Sequence, residues 1–415
     1  MRAFVNPAVR PELIPAPVPD AAAYHEALPG YRPTPVRDLP ELAAELGIAA
    51  VRLKDESERL GLPAFKVLGA SWAIERTLSS QPGLHTLVAA SAGNHGRAVA
   101  HVAARRGLRC RVFLPSRSTE ARRVAIAAEG AEVVVVDGTY EDAVAEAARA
   151  GAEHGVAEIA DVGTSDPARW VIDGYATLFA EIADAGAFDL VVVPIGVGSL
   201  GAAAARFAAQ VGARLVGVEP TTAACLTASL AAGTPVAVST PGTTMAGLDC
   251  AEVSPFAWPS LRDGVHGTVC VTDDEVADAV AELSRAGLSI GESGAAPLAA
   301  LRALCVEGEC DELCRFVALD PGREGDCGAR PSRTHPPVRE QSSSFARIYG
   351  GEGCEGDVPT GRAVWHPPSR VAASSATTRP GSPTARRASG SRVHRGREGQ
   401  RPRSRRALRC RRRPS

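Results

Sequence analysis

Lys54 and Lys66 are the two lysines of a 415-residue chain that carries 46 basic residues in all. Where arginine supplies nearly all the positive charge, a retained lysine points to work that guanidinium cannot do. An ammonium can lose its proton when desolvated and attack a carbonyl, whereas guanidinium stays charged. Lys66 lies among Ala64, Phe65, Val67 and Leu68, a setting that favours an uncharged, nucleophilic amine. The plain alternative is a lysine that snorkels at the surface. Lys54, followed by Asp55 and Glu56, reads as solvated or ion-paired.

Two glycine-bearing turns supply the other chemistry. Gly196-Val197-Gly198-Ser199-Leu200-Gly201 is a Gly-x-Gly-x-x-Gly between a strand pattern and a helix pattern. Backbone N–H groups unobstructed by Cβ atoms at a helix start form an anion site, so a phosphate is expected there. Glu219, about 20 residues on, formally completes a dinucleotide fingerprint. That keeps a nicotinamide-dependent dehydrogenase open as a reading, and a merely tight turn as another. Ser91-Ala-Gly-Asn94-His95-Gly96 also joins a strand to a helix, at the end of the sheet where ligands bind in open α/β folds. Asn94 can donate to or accept from a ring substituent. His95 serves equally well as a packing residue at the helix entry. Glu292-Ser-Gly294 is a third polar turn at a helix start.

These turns need a scaffold, and the periodicity provides one. Ala49–Leu53, Leu84–Ala90, Arg109–Leu114, Glu132–Asp137, Asp189–Ile195 and Arg214–Val218 read as strands. Helical patterns alternate with them, beginning with the face Leu39, Leu42, Ala43 and Leu46 that Gly47 closes, followed by one from Val67 to about Leu78, and ending with one opened by Gly291–Ala296. The alternation predicts an α/β fold with a doubly wound, mainly parallel sheet. Residues 1–30 are proline-rich and read as irregular.

Taken in order, Phe65-Lys66-Val-Leu-Gly-Ala70, Ala92-Gly-Asn-His-Gly96, Gly196-Val-Gly-Ser-Leu200 and Gly291-Glu-Ser-Gly-Ala295 resemble the fold-type II pyridoxal-phosphate enzymes, built like the tryptophan synthase β chain. Lys54-Asp-Glu-Ser57, Asp173-Gly-Tyr-Ala-Thr177 and Thr244-Met-Ala-Gly-Leu-Asp-Cys250 are most similar to diaminopropionate ammonia-lyase. The similarity spans roughly residues 30 to 322. It implies two doubly wound α/β domains, the smaller at about 83–185 inserted in the larger, with pyridoxal 5'-phosphate in the cleft between them. It further implies that Lys66 holds the cofactor as a Schiff base and removes the α-proton. Asn94 would contact the ring oxygen, and the amides of Gly196, Val197, Gly198, Ser199 and Leu200 would cradle the phosphate. Asp161 matches an active-site aspartate of the family, there to bind or deprotonate the substrate ammonium; a capping aspartate is the plain alternative. The implied reaction removes the β-amino group of 2,3-diaminopropionate, leaving pyruvate and ammonia, in a homodimer. Ala92 stands where the family has an aspartate thought to act on the D-enantiomer. That departure makes Ser91-Ala-Gly-Asn-His95 more similar to threonine and serine dehydratases.

Composition bounds the rest. Apolar residues make up 45% of the chain, as in a soluble α/β enzyme. No run approaches the length of a membrane span, and the first twenty residues lack the apolar core of a signal peptide. The ten cysteines have no pairing or zinc-binding rhythm, so no metal and a reducing cytoplasm are expected. The net charge of -1 divides into roughly +14 over residues 323–415 and roughly -15 before them. Such a tail cannot bury enough surface to fold. It reads as a nucleic-acid-binding arm, or, as preferred here, as the product of a shifted reading frame. With Glu324 encoded by GAG, reading Glu324–Ala329 one base later can spell Arg-Val-Ile-Val-Val, the strand that should follow the turn at Asp320-Pro-Gly322. In this frame no segment after Arg323 offers the family's partner for the cofactor nitrogen, and a non-catalytic remnant is a further reading.

Overall fold

In the computed structural model the described residues are 2–183, 188–305, 308 and 310–319, with the backbone of 345–350. Among the described residues eleven strands are formed: β1 (Ala3–Val5), β2 (Val36–Asp38), β3 (Ala50–Asp55), β4 (Thr86–Ala90), β5 (Arg109–Pro115), β6 (Glu132–Val136), β7 (Val156–Glu158), β8 (Leu190–Pro194), β9 (Arg214–Pro220), β10 (Gly267–Val271) and β11 (Phe345–Gly350). They make a seven-stranded sheet ordered β1-β10-β9-β8-β11-β3-β2 and a four-stranded sheet ordered β6-β5-β4-β7. Every pairing is parallel except β1 on β10 and β2 on β3, at the two edges of the larger sheet.

Parallel strands covered by helices on both faces bury every side chain, and β8 shows how. Val191 and Val193 point into a core with the helices Lys66–Ser80, Asp166–Ala180 and Ser199–Val211. Leu190 and Val192 point the other way, into a core with Asp273–Arg285 and Glu292–Cys305. The α/β, doubly wound reading of the sequence is the fold observed.

Two expectations are corrected. Residues 1–30 are not irregular throughout: β1 pairs with β10, and Asp20–Glu26 is a helix. Both were hidden because a three-residue edge strand and a two-turn helix draw their stability from tertiary partners. Within the segment read as unfolded or frame-shifted, Phe345–Gly350 forms β11, which pairs in parallel with both β3 and β8. Its sequence, Phe-Ala-Arg-Ile-Tyr-Gly, is rich in strand formers, but polar flanks mask it. Residues 320–344 and 351–415 lie outside the described residues, and so does the rest of the tail reading.

Candidate active site

Lys66 is the first residue of the helix Lys66–Ser80, delivered by the loop that leaves β3. A buried charge network fixes that loop. The fully buried Arg59 guanidinium donates to Glu56 (2.6 and 2.9 Å) and to Glu181 (2.5 and 2.8 Å). Lys54 Nζ donates to Glu181 Oε2 at 2.6 Å and to Thr34 O at 2.7 Å. Of the two readings for Lys54, ion-paired is the one observed, with 1% of the side chain exposed. Burial would raise the Glu181 carboxyl, but Arg59 and Lys54 outweigh it and hold Glu181 below the usual carboxylate range.

Lys66 itself is one-fifth exposed and reaches Asp161, with Nζ donating to Oδ2 at 3.3 Å. Asp161 follows β7 closely, at the C-terminal end of the smaller sheet. Burial works against its charge, yet His95 and Lys66 prevail and keep the carboxyl below its ordinary value. His95 Nε2 donates to Ile159 O at 2.7 Å, since a carbonyl can only accept. Its buried Nδ1 has no hydrogen-bond partner among the described residues and lies 3.9 Å from Asp161 Oδ2. Asn94, half-buried, opens the helix Asn94–Arg105.

The Gly196–Gly198 loop runs from β8 into the helix Ser199–Val211. Gly198 has φ +93°, a left-handed conformation that favours glycine. A Cβ on Gly196 would stand 2.5 Å from Gly247 O. Positions 196 and 198 therefore leave room for no side chain, Val197 alone carrying one between them, and the first N–H groups of the helix have no partner within it. Ser199 Oγ donates to Asp161 O at 3.3 Å, tying this loop to Asp161.

Lys66, Asn94, Asp161, Gly196, Val197, Gly198, Ser199 and Leu200 all line one cavity of about 1260 Å³. The residues named from the sequence are thus brought together. The cavity also takes in Tyr140, Tyr175 and Cys250, to which the sequence reading gave no role; Tyr175 and Cys250 lay inside quoted motifs, but nothing in spacing marks a lone tyrosine. Glu219 does not join the cavity. Fully buried, it accepts from Leu226 N (2.7 Å), Thr227 N (2.8 Å) and Thr227 Oγ1 (2.7 Å), and burial pushes its carboxyl up to about 7. A carboxylate enclosed this way cannot receive a ribose, which removes the dehydrogenase reading.

A pyridoxal phosphate fits these residues. The Gly196–Gly198 loop at a helix start suits a phosphate, a reachable amine faces the same cavity, and His95 Nδ1 and Tyr175 Oη, on two residues that line it, are buried with no hydrogen-bond partner among the described residues. No group of histidine, cysteine and acidic side chains suited to a metal occurs among the described residues, and no helix there is long and apolar enough to cross a membrane.

Comparison with known proteins agrees with this chemistry. The chain is 30% identical over 335 residues to the diaminopropionate ammonia-lyase of Escherichia coli (strain K12), covering 72% of this chain and 84% of that one. The biosynthetic L-threonine dehydratase of the same organism is 28% identical over 294 residues, 68% of this chain and 56% of that one. The crystal structure of the E. coli diaminopropionate ammonia lyase in complex with an aminoacrylate-PLP azomethine reaction intermediate superposes with a TM-score of 0.72 at 27% identity, covering 85% of this chain and 93% of that one. Residues 27–322 match the family of pyridoxal-phosphate dependent enzymes, and the chain belongs to that family.

Proposed function

We propose that this protein is an ammonia-lyase that eliminates the β-amino group of 2,3-diaminopropionate, giving with water one pyruvate and two ammonia. The observation that carries the reading is the contact of Lys66 Nζ with Asp161 Oδ2 (3.3 Å) in the cavity that also takes in the Gly196–Gly198 loop. Lys66 would hold the cofactor through its amine, Asn94 would face its ring oxygen, and the amides of Gly196 to Leu200 would receive its phosphate. Pyridoxal phosphate, when bound, supplies an electron sink for the bonds at the substrate's Cα.

The chain's own residues do the rest. Lys66 Nζ, released to substrate, takes the α-proton. Asp161, kept ionised, holds Nζ in reach and binds the substrate ammonium. Ala92 lines the cavity without a carboxylate, which supports a preference for the L-enantiomer. The same Ala92 favours a second reading, a serine or threonine dehydratase, since the dehydratases resemble this loop most. We read the four-stranded sheet and its helices as the smaller domain, inserted in the larger, and the protein as a cytoplasmic homodimer. The Arg-rich tail is not read as a nucleic-acid arm.

Pyruvate release from separate L- and D-2,3-diaminopropionate, L-serine and L-threonine tests this. Release is expected from L-2,3-diaminopropionate in preference to all others. Turnover of L-serine or L-threonine with none of L-2,3-diaminopropionate would transfer the protein to the dehydratases.

A further inference from the structure

Asp161 is held through the backbone of its own segment as well as through its charge. Ile159 N donates to Val88 O at 2.8 Å, continuing the pairing of β7 with β4. His95 Nε2 donates to Ile159 O at 2.7 Å. Both of these anchors come from the smaller sheet and the helix that follows β4. The third comes from the larger sheet. Ser199, the first residue of the helix after β8, donates through Oγ to Asp161 O at 3.3 Å. It is only 5% exposed, so bulk water does not compete for this bond.

A hydroxyl has one proton to donate. Engaged by Asp161 O, that proton is not available to a phosphate dianion, which only accepts. What Ser199 can offer a phosphate is its backbone N–H, at the start of the helix. One residue thereby joins the Gly196–Gly198 loop to the aspartate. The contact of Lys66 with Asp161 cannot replace this link. Nζ must leave the carboxylate to take up a carbonyl or a proton, whereas the bond from Ser199 involves no reacting atom.

We propose that Ser199 is a positioning residue for Asp161: its hydroxyl fixes the aspartate against the phosphate loop, so that the carboxylate stays in place while Lys66 Nζ moves. The proposal rests on Lys66 being the cofactor lysine and Asp161 its partner. It gives the serine side chain to the aspartate and only the serine amide to the phosphate.

S199A removes the hydroxyl and keeps the backbone N–H. Its equilibrium affinity for pyridoxal phosphate, read by absorbance without substrate, should stay within about twofold of the wild type, since no bond to phosphate is lost. With L-2,3-diaminopropionate, kcat should fall about tenfold, the effect of one hydrogen bond. The decisive series is the pH dependence of cofactor attachment at Lys66. A nearby carboxylate favours the charged amine, so D161N should move the midpoint of attachment to lower pH. S199A should move it the same way by less, and S199A/D161N should match D161N alone. A tenfold weaker cofactor affinity in S199A would assign the hydroxyl to the phosphate. An unchanged midpoint would make the bond merely structural. Either overturns the proposal, as does a wild type that attaches no cofactor at Lys66. The pH series needs no substrate. A wild type that attaches cofactor but releases no pyruvate would therefore refute the proposed reaction, while the series still decides on Ser199.

Discussion

Gly174 and Gly69 meet backbone to backbone. A Cβ on Gly174 would stand 2.7 Å from Leu68 O and 2.8 Å from Gly69 Cα. The helix that begins with Lys66 is thereby pressed on the helix Asp166–Ala180 with nothing between them. A side chain here cannot be accommodated by a rotamer change, since the obstacle is backbone. G174A should destabilise the protein by about 1–3 kcal/mol and slow cofactor attachment at Lys66, two residues from Leu68. Urea unfolding and cofactor titration of the variant check both.

His25 joins the same two helices from a third. Nε2 donates to Leu68 O at 3.0 Å, and Nδ1 accepts from Thr177 Oγ1 at 2.7 Å. Burial pulls this imidazole from its ordinary 6.5 down to about 3. Between those values the unfolded chain binds a proton that the folded chain refuses. The stability His25 contributes is therefore present above about 6.5 and is lost as pH falls toward 3, with a slope of up to about 1.4 kcal/mol per pH unit. H25Q, which stays neutral, should cost about 1 kcal/mol at pH 7 and show a shallower loss of stability between pH 6 and pH 4. Denaturant midpoints across that range test the sign.

What the sequence disclosed follows from where the information lies. β8 is legible because a strand buried on both faces must be continuously apolar, and Leu190-Val-Val-Val193 is. The Gly196–Gly198 loop is legible because position 198 takes a left-handed φ and a Cβ at 196 would meet Gly247 O, so both positions call for glycine. His25 was not legible, since its value lies in partners 43 and 152 residues away. Asp161 was found through family resemblance alone, because an aspartate in a loop after a three-residue strand has no periodic signature. Glu219 shows the opposite failure: its spacing satisfied a fingerprint, while its carboxylate caps the helix Cys225–Ala232.

Glu181 balances two buried cations, Arg59 and Lys54. Removing one partner of a buried pair leaves charge uncompensated, at a cost of about 3–5 kcal/mol. E181Q should lower stability by that order, whereas substituting the exposed pair Arg32–Glu58 should change it by less than about 1 kcal/mol. Comparing the two in denaturant separates the buried network from surface charge.

The central claim is that Lys66 carries the cofactor and Lys54 does not. Borohydride reduction after incubation with pyridoxal phosphate, followed by peptide mass mapping, reads this directly, because the chain has no third lysine. The account predicts one label per chain, on the peptide containing Lys66, and none in K66A. A label on Lys54, or an unlabelled wild-type protein, would contradict it.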